Sequence, residues 1–388
     1  MEYYFQPMNA NDTSQYPEIQ SPAFVLEESK LVRNLQLLER VRNETGVEII
    51  LALKAVALWH TFPLIRQYLD GATASSLNEA RLIHKHMGDP AHVYIPAYHP
   101  REIPELSSHS QSIIFNSFTE YQRHYQTFQK LNPSLKFGLR VNPGYSEIST
   151  PLYDPAGPGS RLGIHSLSSL PTGISGLHFH ALCENNSYTL ERVLQSFESR
   201  FEHLLPKIDW VNFGGGHLIT EESYDIPHLI NLLKNFRSKY PHLQVIMEPG
   251  SAVVWQTGFL KSTILDVIST PDRNFLMLDI SFTAHTPDCL EMPYNPGIRG
   301  AQYGSKGAHV YYLGGSSCLA GDQLGPYSFE RPMEPGDELI FEDMIHYTMV
   351  KTTMFNGVHH PDIGMINQNN EYKILRRFTF DDYQNRMG

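Results

Sequence analysis

One lysine interrupts an apolar run. In Glu48-Ile-Ile-Leu-Ala-Leu-Lys54-Ala-Val-Ala-Leu-Trp59 nearly every residue beside Lys54 is hydrophobic. An ammonium buried in such surroundings is costly to keep charged, so its pKa should fall. A partly neutral lysine is a nucleophile suited to condensing with an aldehyde. The plainer alternative is a lysine that ends a strand and carries its charge out to water along its stem. Three further features shift the balance. Gly214-Gly215-Gly216 lets backbone N–H groups approach a phosphate closely, although the same triplet also serves as an ordinary turn. Glu248, in Glu248-Pro249-Gly250, could pair with a ring nitrogen or sit in a structural ion pair. His178 and His180 are two apart and share a face if their segment is a strand.

Lysine, glycine loop and carboxylate together are the parts needed to hold pyridoxal phosphate. Lys54 would bind the aldehyde and the glycines the phosphate. Glu248 would keep the pyridine nitrogen protonated, which makes the ring an electron sink for a carbanion. His180 would lie flat beneath the ring. A different chemistry competes for the histidines: His-x-His on a barrel strand can bind zinc, with His217 joining it, in a metal-dependent hydrolase. The pair falls on the sixth strand rather than the first, and no acidic ligand pattern accompanies it. No metal is therefore expected, and His178 reads as a packed or hydrogen-bonded core residue. Gly315-Ser-Ser-Cys318-Leu-Ala-Gly-Asp322 and the segment from Phe341 through Tyr347 add a second constellation. An isolated cysteine is usually buried filler. Flanked by glycine and serine, Cys318 is placed for access and could return a proton to a carbanion.

These residues must be positioned by a scaffold, and the hydrophobic spacing supplies one. Strands are predicted at 49–53, 72–74, 92–95, 113–115, 136–141, 177–180, 210–213 and 245–248, with helical segments between most of them. Thr61 and Pro63 suit a helix start and Gly71 its end; Ser76-Leu-Asn-Glu79 is a capping-box pattern closed by Gly88. Leu190, Val193, Leu194, Phe197, Phe201 and Leu204 mark one face of a helix over 188–205, and 225–240 reads as another. Eight such units give a (β/α)8 TIM barrel, whose active sites lie at the C-terminal ends of the strands. Lys54, His180, the glycine triplet and Glu248 all fall there. The Pro- and Gly-rich stretch 144–173 is an active-site loop or insertion. Beyond Gly250 the pattern becomes mainly β, with strands expected at Val253, 264–268, 275–278, 309–312, 338–341 and 347–351. The expected organisation is a tail over 1–20, a first strand and lead-in helix over 21–47 with the strand joining the β domain, the barrel over 48–250 and the β domain over 251–388.

Composition narrows the partners. The chain has 388 residues and a net charge of −11, which repels nucleic acid and anionic membranes and attracts a cationic substrate. The 1–20 segment has neither a basic n-region nor an apolar h-region, so no secretory signal and no membrane association are expected. Cys183, Cys289 and Cys318 form no disulfide framework, which fits a reduced cytoplasmic setting.

The chain resembles the alanine-racemase-like pyridoxal-phosphate decarboxylases, a barrel-plus-β-domain family, over nearly its whole length after the tail. Within that family it resembles the carboxynorspermidine/carboxyspermidine decarboxylase branch. The strings that carry the resemblance are Leu-Ala-Leu-Lys54, Phe-His180-x-x-Cys-Glu-Asn185, Gly-Gly-Gly216, Glu248-Pro-Gly, Ser-Cys318-Leu-Ala-Gly-Asp322-Gln and Tyr347-Thr-Met-Val-Lys351 with Phe355-Asn-Gly357. The resemblance implies that Lys54 holds the cofactor and His180 stacks on it. It implies that Gly214, Gly215, Gly216 and Tyr347 contact the phosphate and that Glu248 pairs with the ring nitrogen. It further implies a homodimer in which Cys318 completes the partner's site and Arg161 meets Asp322 across the interface. Ser251 stands where ornithine and diaminopimelate decarboxylases carry arginine, and Leu319 where they carry an acid. Cys183 replaces a common serine. The implied reaction is decarboxylation of carboxynorspermidine or carboxyspermidine, with Glu184, Asn185, Asp279, Asp288 and Asp322 as candidates to bind substrate. The alternatives are a diaminopimelate or other basic amino-acid decarboxylase and, more remotely, a non-catalytic pyridoxal-phosphate carrier.

Overall fold

The computed structural model describes residues 16, 18–292 and 294–388, so most of the expected 1–20 tail lies outside the described residues. The chain divides into two units, one formed by Arg33–Val253 and one by the residues up to Val32 with Val254–Gly388.

The first unit is a closed barrel of eight parallel strands. These are β2 (Glu48–Ala52), β3 (Gly71–Ala74), β4 (Ala91–Tyr94), β5 (Ser110–Phe115), β6 (Lys136–Arg140), β7 (Ile174–His178), β8 (Trp210–Asn212) and β9 (Gln244–Met247). Closure comes from β2 pairing β9, with Glu48 opposite Ile246. All eight expected strands are present, but β7 ends at His178 and β9 at Met247, so His180 and Glu248 stand in the turns beyond them. That placement moves both side chains to the mouth of the barrel.

The barrel interior is layered. Ile50, Ile114, Trp210 and Ile246 form an apolar middle layer. Trp210 fits only because its neighbours are glycines: a Cβ on Gly176 would come within 1.9 Å of the indole and one on Gly138 within 2.4 Å. Below, His92 Nε2 lies 3.3 Å from Glu48 Oε1, and Ser112 bonds His92 Nδ1. Above lie Tyr94, Arg140, His178, Asn212 and Glu248, the inward residues nearest the strand ends. Alternation along a strand puts residues two apart on the same side, which is why one side of each strand lines the interior.

The outer helices follow their sequence signals. The helix Ser187–Phe201 buries Leu190, Val193, Leu194, Phe197 and Phe201, each contributing about 1.5–3 kcal/mol of burial. Asn186 caps it through Tyr188 and Thr189 N–H, and Asp225 caps the helix Ile226–Lys239 through His228 N–H. The helix expected after Thr61 is only Phe62–Ile65, and Thr61 makes no side-chain cap bond. Ser76 caps Leu77–His86, while Glu79 reaches back to Ser75 N–H, one residue earlier than in a standard capping box.

The second unit is a nine-stranded sheet ordered β12-β14-β13-β11-β10-β1-β16-β17, with β15 pairing β10. Its strands are β1 (Ala23–Glu27), β10 (Gly258–Ser269), β11 (Asn274–Leu278), β12 (Ala301–Tyr303), β13 (His309–Gly314), β14 (Gln323–Phe329), β15 (Glu338–Glu342), β16 (Asp362–Ile366) and β17 (Tyr372–Arg376). The first strand does join this sheet, antiparallel to β10 and parallel to β16. Two expectations are corrected. Val253 lies in the short helix Ser251–Val254 and Tyr347–Val350 is a helical turn, not a strand; Asp343, with φ of 60°, turns the chain after β15 before the second of these. Tyr16 and Ile19 also pack on this sheet. Ile19 is 1% exposed, Tyr16 stacks on Phe259 at 5.3 Å, and buried Lys261 bonds the carbonyls of Tyr16 and Ile19 and the Glu338 carboxylate.

Candidate active site

Lys54 follows β2 in a turn, between buried Leu53 and Ala55, and its own side chain is exposed. This corrects the expectation of a buried lysine: the apolar flanks point into the barrel wall, and the turn aims Lys54 out of it. Its Nζ lies 3.1 Å from His180 Nε2. His180 Nδ1 accepts the Gly215 N–H at 3.0 Å, so a neutral ring carries its proton on Nε2. Burial and then the charges of Lys54 and Arg140 hold His180 well below the usual histidine range. The imidazole is therefore neutral and fixed in plane. Glu79, the acid at the start of the next helix, lies in the field of Lys54, and burial raises its carboxyl.

The glycine loop is locked to two neighbouring turns. Gly216 has φ of 95°, and a Cβ there would meet Leu182 O at 1.9 Å; one on Gly215 would meet Glu248 O at 2.0 Å. Asn185 N–H donates to Gly216 O and Leu218 N–H to Asn185 O, which ties the Cys183-Glu184-Asn185 turn to the loop. The Asn185 side chain accepts Cys183 N–H at 2.8 Å. Glu184 sits exposed at the corner with φ of 54°, a left-handed conformation costly for a non-glycine residue. Burial pushes the Cys183 thiol up to about 11.

Beneath the loop, Glu248 is 7% exposed. Its Oε1 accepts Asn212 Nδ2 at 2.6 Å, and its Oε2 lies 3.6 Å from His178 Nε2. Burial alone would raise this carboxyl, but the facing His178 and the Asn212 amide hold it below the usual carboxylate range. Arg140, 4% exposed, donates to His180 O at 3.2 Å and lies over the Tyr94 ring at 4.6 Å. Asn116 accepts Tyr94 O–H and Gly163 N–H and donates to Arg161 O, so it fixes the turn that carries exposed Arg161.

Each of the histidines in the metal alternative faces a different partner. His217 is buried with Nδ1 against Tyr224 O–H at 2.6 Å, and burial lowers it to about 4. His180 faces Lys54 and Gly215, and His178 faces Glu248. Among the described residues, no three potential metal ligands converge.

In the sheet unit Cys318 is exposed, and its N–H donates to Asn356 Oδ1 at 3.0 Å. Asn356 itself has φ of 58°. Asp322 is 4% exposed and accepts Thr283 N–H at 2.9 Å and Ser317 N–H at 3.1 Å. It folds the Cys318 loop, with both oxygens accepting amides there. Asp279 likewise accepts from Ser21, Ser262 and Thr263. Asp288 is buried and takes Thr348 Oγ1 at 2.8 Å and Tyr294 O–H at 3.0 Å on Oδ2, while Oδ1 has no hydrogen-bond partner. Through Thr348 it steadies the turn that begins with half-buried Tyr347.

The family model for pyridoxal-dependent decarboxylases with a C-terminal sheet domain matches residues 68–345. The chain is 49% identical over 384 residues to the carboxyaminopropylagmatine decarboxylase of Synechocystis sp., covering 98% of this chain and 99% of that protein. It is 40% identical over 382 residues to the carboxynorspermidine/carboxyspermidine decarboxylase of Campylobacter jejuni, covering 95% and 98%. The crystal structure of carboxynorspermidine decarboxylase from Campylobacter jejuni, complexed with norspermidine, superposes with a TM-score of 0.87 at 39% identity, covering 95% of this chain and all of that one. The chain belongs to the pyridoxal-dependent decarboxylases.

The barrel of this decarboxylase fits pyridoxal phosphate. Bare glycines keep the loop amides at the mouth, and an amine, a fixed imidazole and a buried carboxylate lie around one layer. Sequence reasoning missed Arg140, Asn212, Tyr94, Asn116 and Asn356. Arg140 and Asn212 each close a barrel strand, and that position was a usable signal. Asn356 offered only an Asn-Gly pair.

Proposed function

We propose that this decarboxylase removes the α-carboxylate of carboxynorspermidine or carboxyspermidine, releasing carbon dioxide and norspermidine or spermidine. The observation that carries the reading is the Lys54–His180 contact, with His180 pinned by the glycine loop above a carboxylate. Pyridoxal phosphate, when bound, supplies the electron sink that takes the pair left by the breaking Cα–carboxylate bond. Lys54 Nζ is the amine that anchors it. His180 presents its ring face, and Glu248 holds a proton on the ring nitrogen. Gly214 N–H donates to Asn212 and Gly215 N–H to His180, so the amides left for the phosphate start at Gly216, with Tyr347 as a further donor. Cys318 Sγ delivers a proton to Cα, which replaces the lost carboxylate and balances the reaction.

The distal cationic amines need an acid. Glu184 is the residue proposed for them, because it is exposed and its strained φ is held by the Asn185 bridge. Asn185 and Asp288 support the site by shaping turns. The active form is proposed to be a homodimer in the cytoplasm, with Cys318 of one subunit serving the barrel of the other.

A second reading has an observation of its own. The 49% identity over 98% of the chain favours carboxyaminopropylagmatine, whose distal cation is a guanidinium. Both readings share the reaction and differ at the far end of the substrate. Carbon dioxide release should be measured with carboxynorspermidine, carboxyspermidine, carboxyaminopropylagmatine and diaminopimelate. Release from the first two at the highest kcat/KM supports the main reading, and preference for the third supports the second. Preference for diaminopimelate would overturn both.

A further inference from the structure

His178 is 1% exposed, yet neither ring nitrogen has a hydrogen-bond partner. Leaving a buried polar group unmatched is costly, so such a group in an otherwise bonded layer needs an explanation. The groups around it are few and named. Tyr94 on β4 packs its ring at 5.4 Å, Arg140 on β6 and Lys54 after β2 contribute positive charge, and Asn212 on β8 is bonded to Glu248. Arg140 does not bond Glu248; its guanidinium is turned to His180 O and the Tyr94 ring. Among the described residues, Glu248 Oε2 lies 3.6 Å from His178 Nε2. Burial keeps His178 itself neutral, so it acts as a donor of one N–H rather than as a second cation.

We propose that His178 is a positioning residue for Glu248: its Nε2–H faces Oε2 opposite the Asn212 amide, and the pair of donors keeps the carboxylate ionised and oriented toward the cofactor ring. The inference rests on the assignment of Glu248 to the ring nitrogen and adds the residue that prepares it. A neutral donor suits the task. A charged one would compete with the ring for the carboxylate, and no donor at all would let burial drive Glu248 toward its protonated form, which cannot stabilise a protonated ring.

The test uses the intact protein loaded with pyridoxal phosphate carrying ¹⁵N in its ring, with the ring-nitrogen chemical shift followed against pH. The wild type should show a protonated nitrogen across neutral and mildly alkaline pH. His178→Leu should lose that proton at lower pH, a shift of about one unit or a tenfold fall in occupancy, and His178→Gln, which restores an N–H, should recover most of it. An unchanged His178→Leu profile, with Glu248→Gln deprotonating the ring, would overturn the role of His178 while leaving Glu248 in place. A ring nitrogen unaffected by Glu248→Gln would overturn the underlying assignment. If His178→Leu does not fold, the wild-type imidazole still decides: ¹⁵N-histidine spectra should show His178 neutral with its proton on Nε2, and a proton on Nδ1 contradicts the proposal.

Discussion

Cys318, the proposed proton donor, owes its setting to residues other than itself. Its N–H is held by Asn356, and its loop is folded by Asp322, whose oxygens accept two amides. Cys318→Ala should lower kcat by about 10²–10⁴-fold, the usual contribution of a positioned general acid, with little change in KM. Asn356→Ala should lower kcat less and also change the alkylation rate of Cys318, which is the exposed thiol among three. Glu184→Gln should raise KM for the triamine with kcat nearly unchanged; an unaltered KM would remove Glu184 from the substrate site. The types of these residues were legible in the sequence. Their neighbours were not, because Asp279 and Asp322 look like open acids until the amides they accept are seen.

The barrel elements were the most legible part of the chain. Their strands are buried on both faces and read as short apolar runs between marked helices. The sheet unit was harder. β14 contains Gly325-Pro326, which argues against a strand in sequence, yet it lies between β12 and β13; the register shifts opposite it, between Tyr311 and Leu313, where the ladder accommodates the proline. The close packing of the glycine loop gives a prediction at this scale. Gly216→Ala would place a Cβ 1.9 Å from Leu182 O at φ of 95°. The left-handed backbone costs about 1–2 kcal/mol and the overpacking about 1–3 kcal/mol. Thermal unfolding should fall by several degrees, and titration with pyridoxal phosphate should show weaker binding.

Across the whole molecule, several imidazoles are buried in neutral form. Burial lowers His217 to about 4, and lowers His285, together with the charges of His360 and His359, to about 3. The unfolded chain binds these protons first, below its ordinary value of 6.5. The stability they contribute is therefore complete above that value and lost as pH falls toward 4 and 3, on the order of 3 kcal/mol for His217 and 5 kcal/mol for His285. Denaturant unfolding at pH 8 and at pH 5 should show this loss, reduced in His217→Phe. Lys261 provides a stability test at the N-terminal end of the described residues. Replacing it with alanine strands two carbonyls and a partly exposed carboxylate, at a cost of about 3 kcal/mol, read as a lower denaturant midpoint. The shared-site dimer is tested by mixing Lys54→Ala with Cys318→Ala: activity should return in the mixture, and no return would place Cys318 in its own subunit's site.

Reductive trapping of the bound cofactor with borohydride, followed by peptide mapping, tests the central claim most directly. The cofactor should be recovered on the peptide containing Lys54, in the wild type and in Cys318→Ala, and should be absent from Lys54→Ala. Recovery on another lysine, or trapping undiminished in Lys54→Ala, would contradict the assignment of this barrel end as the catalytic centre.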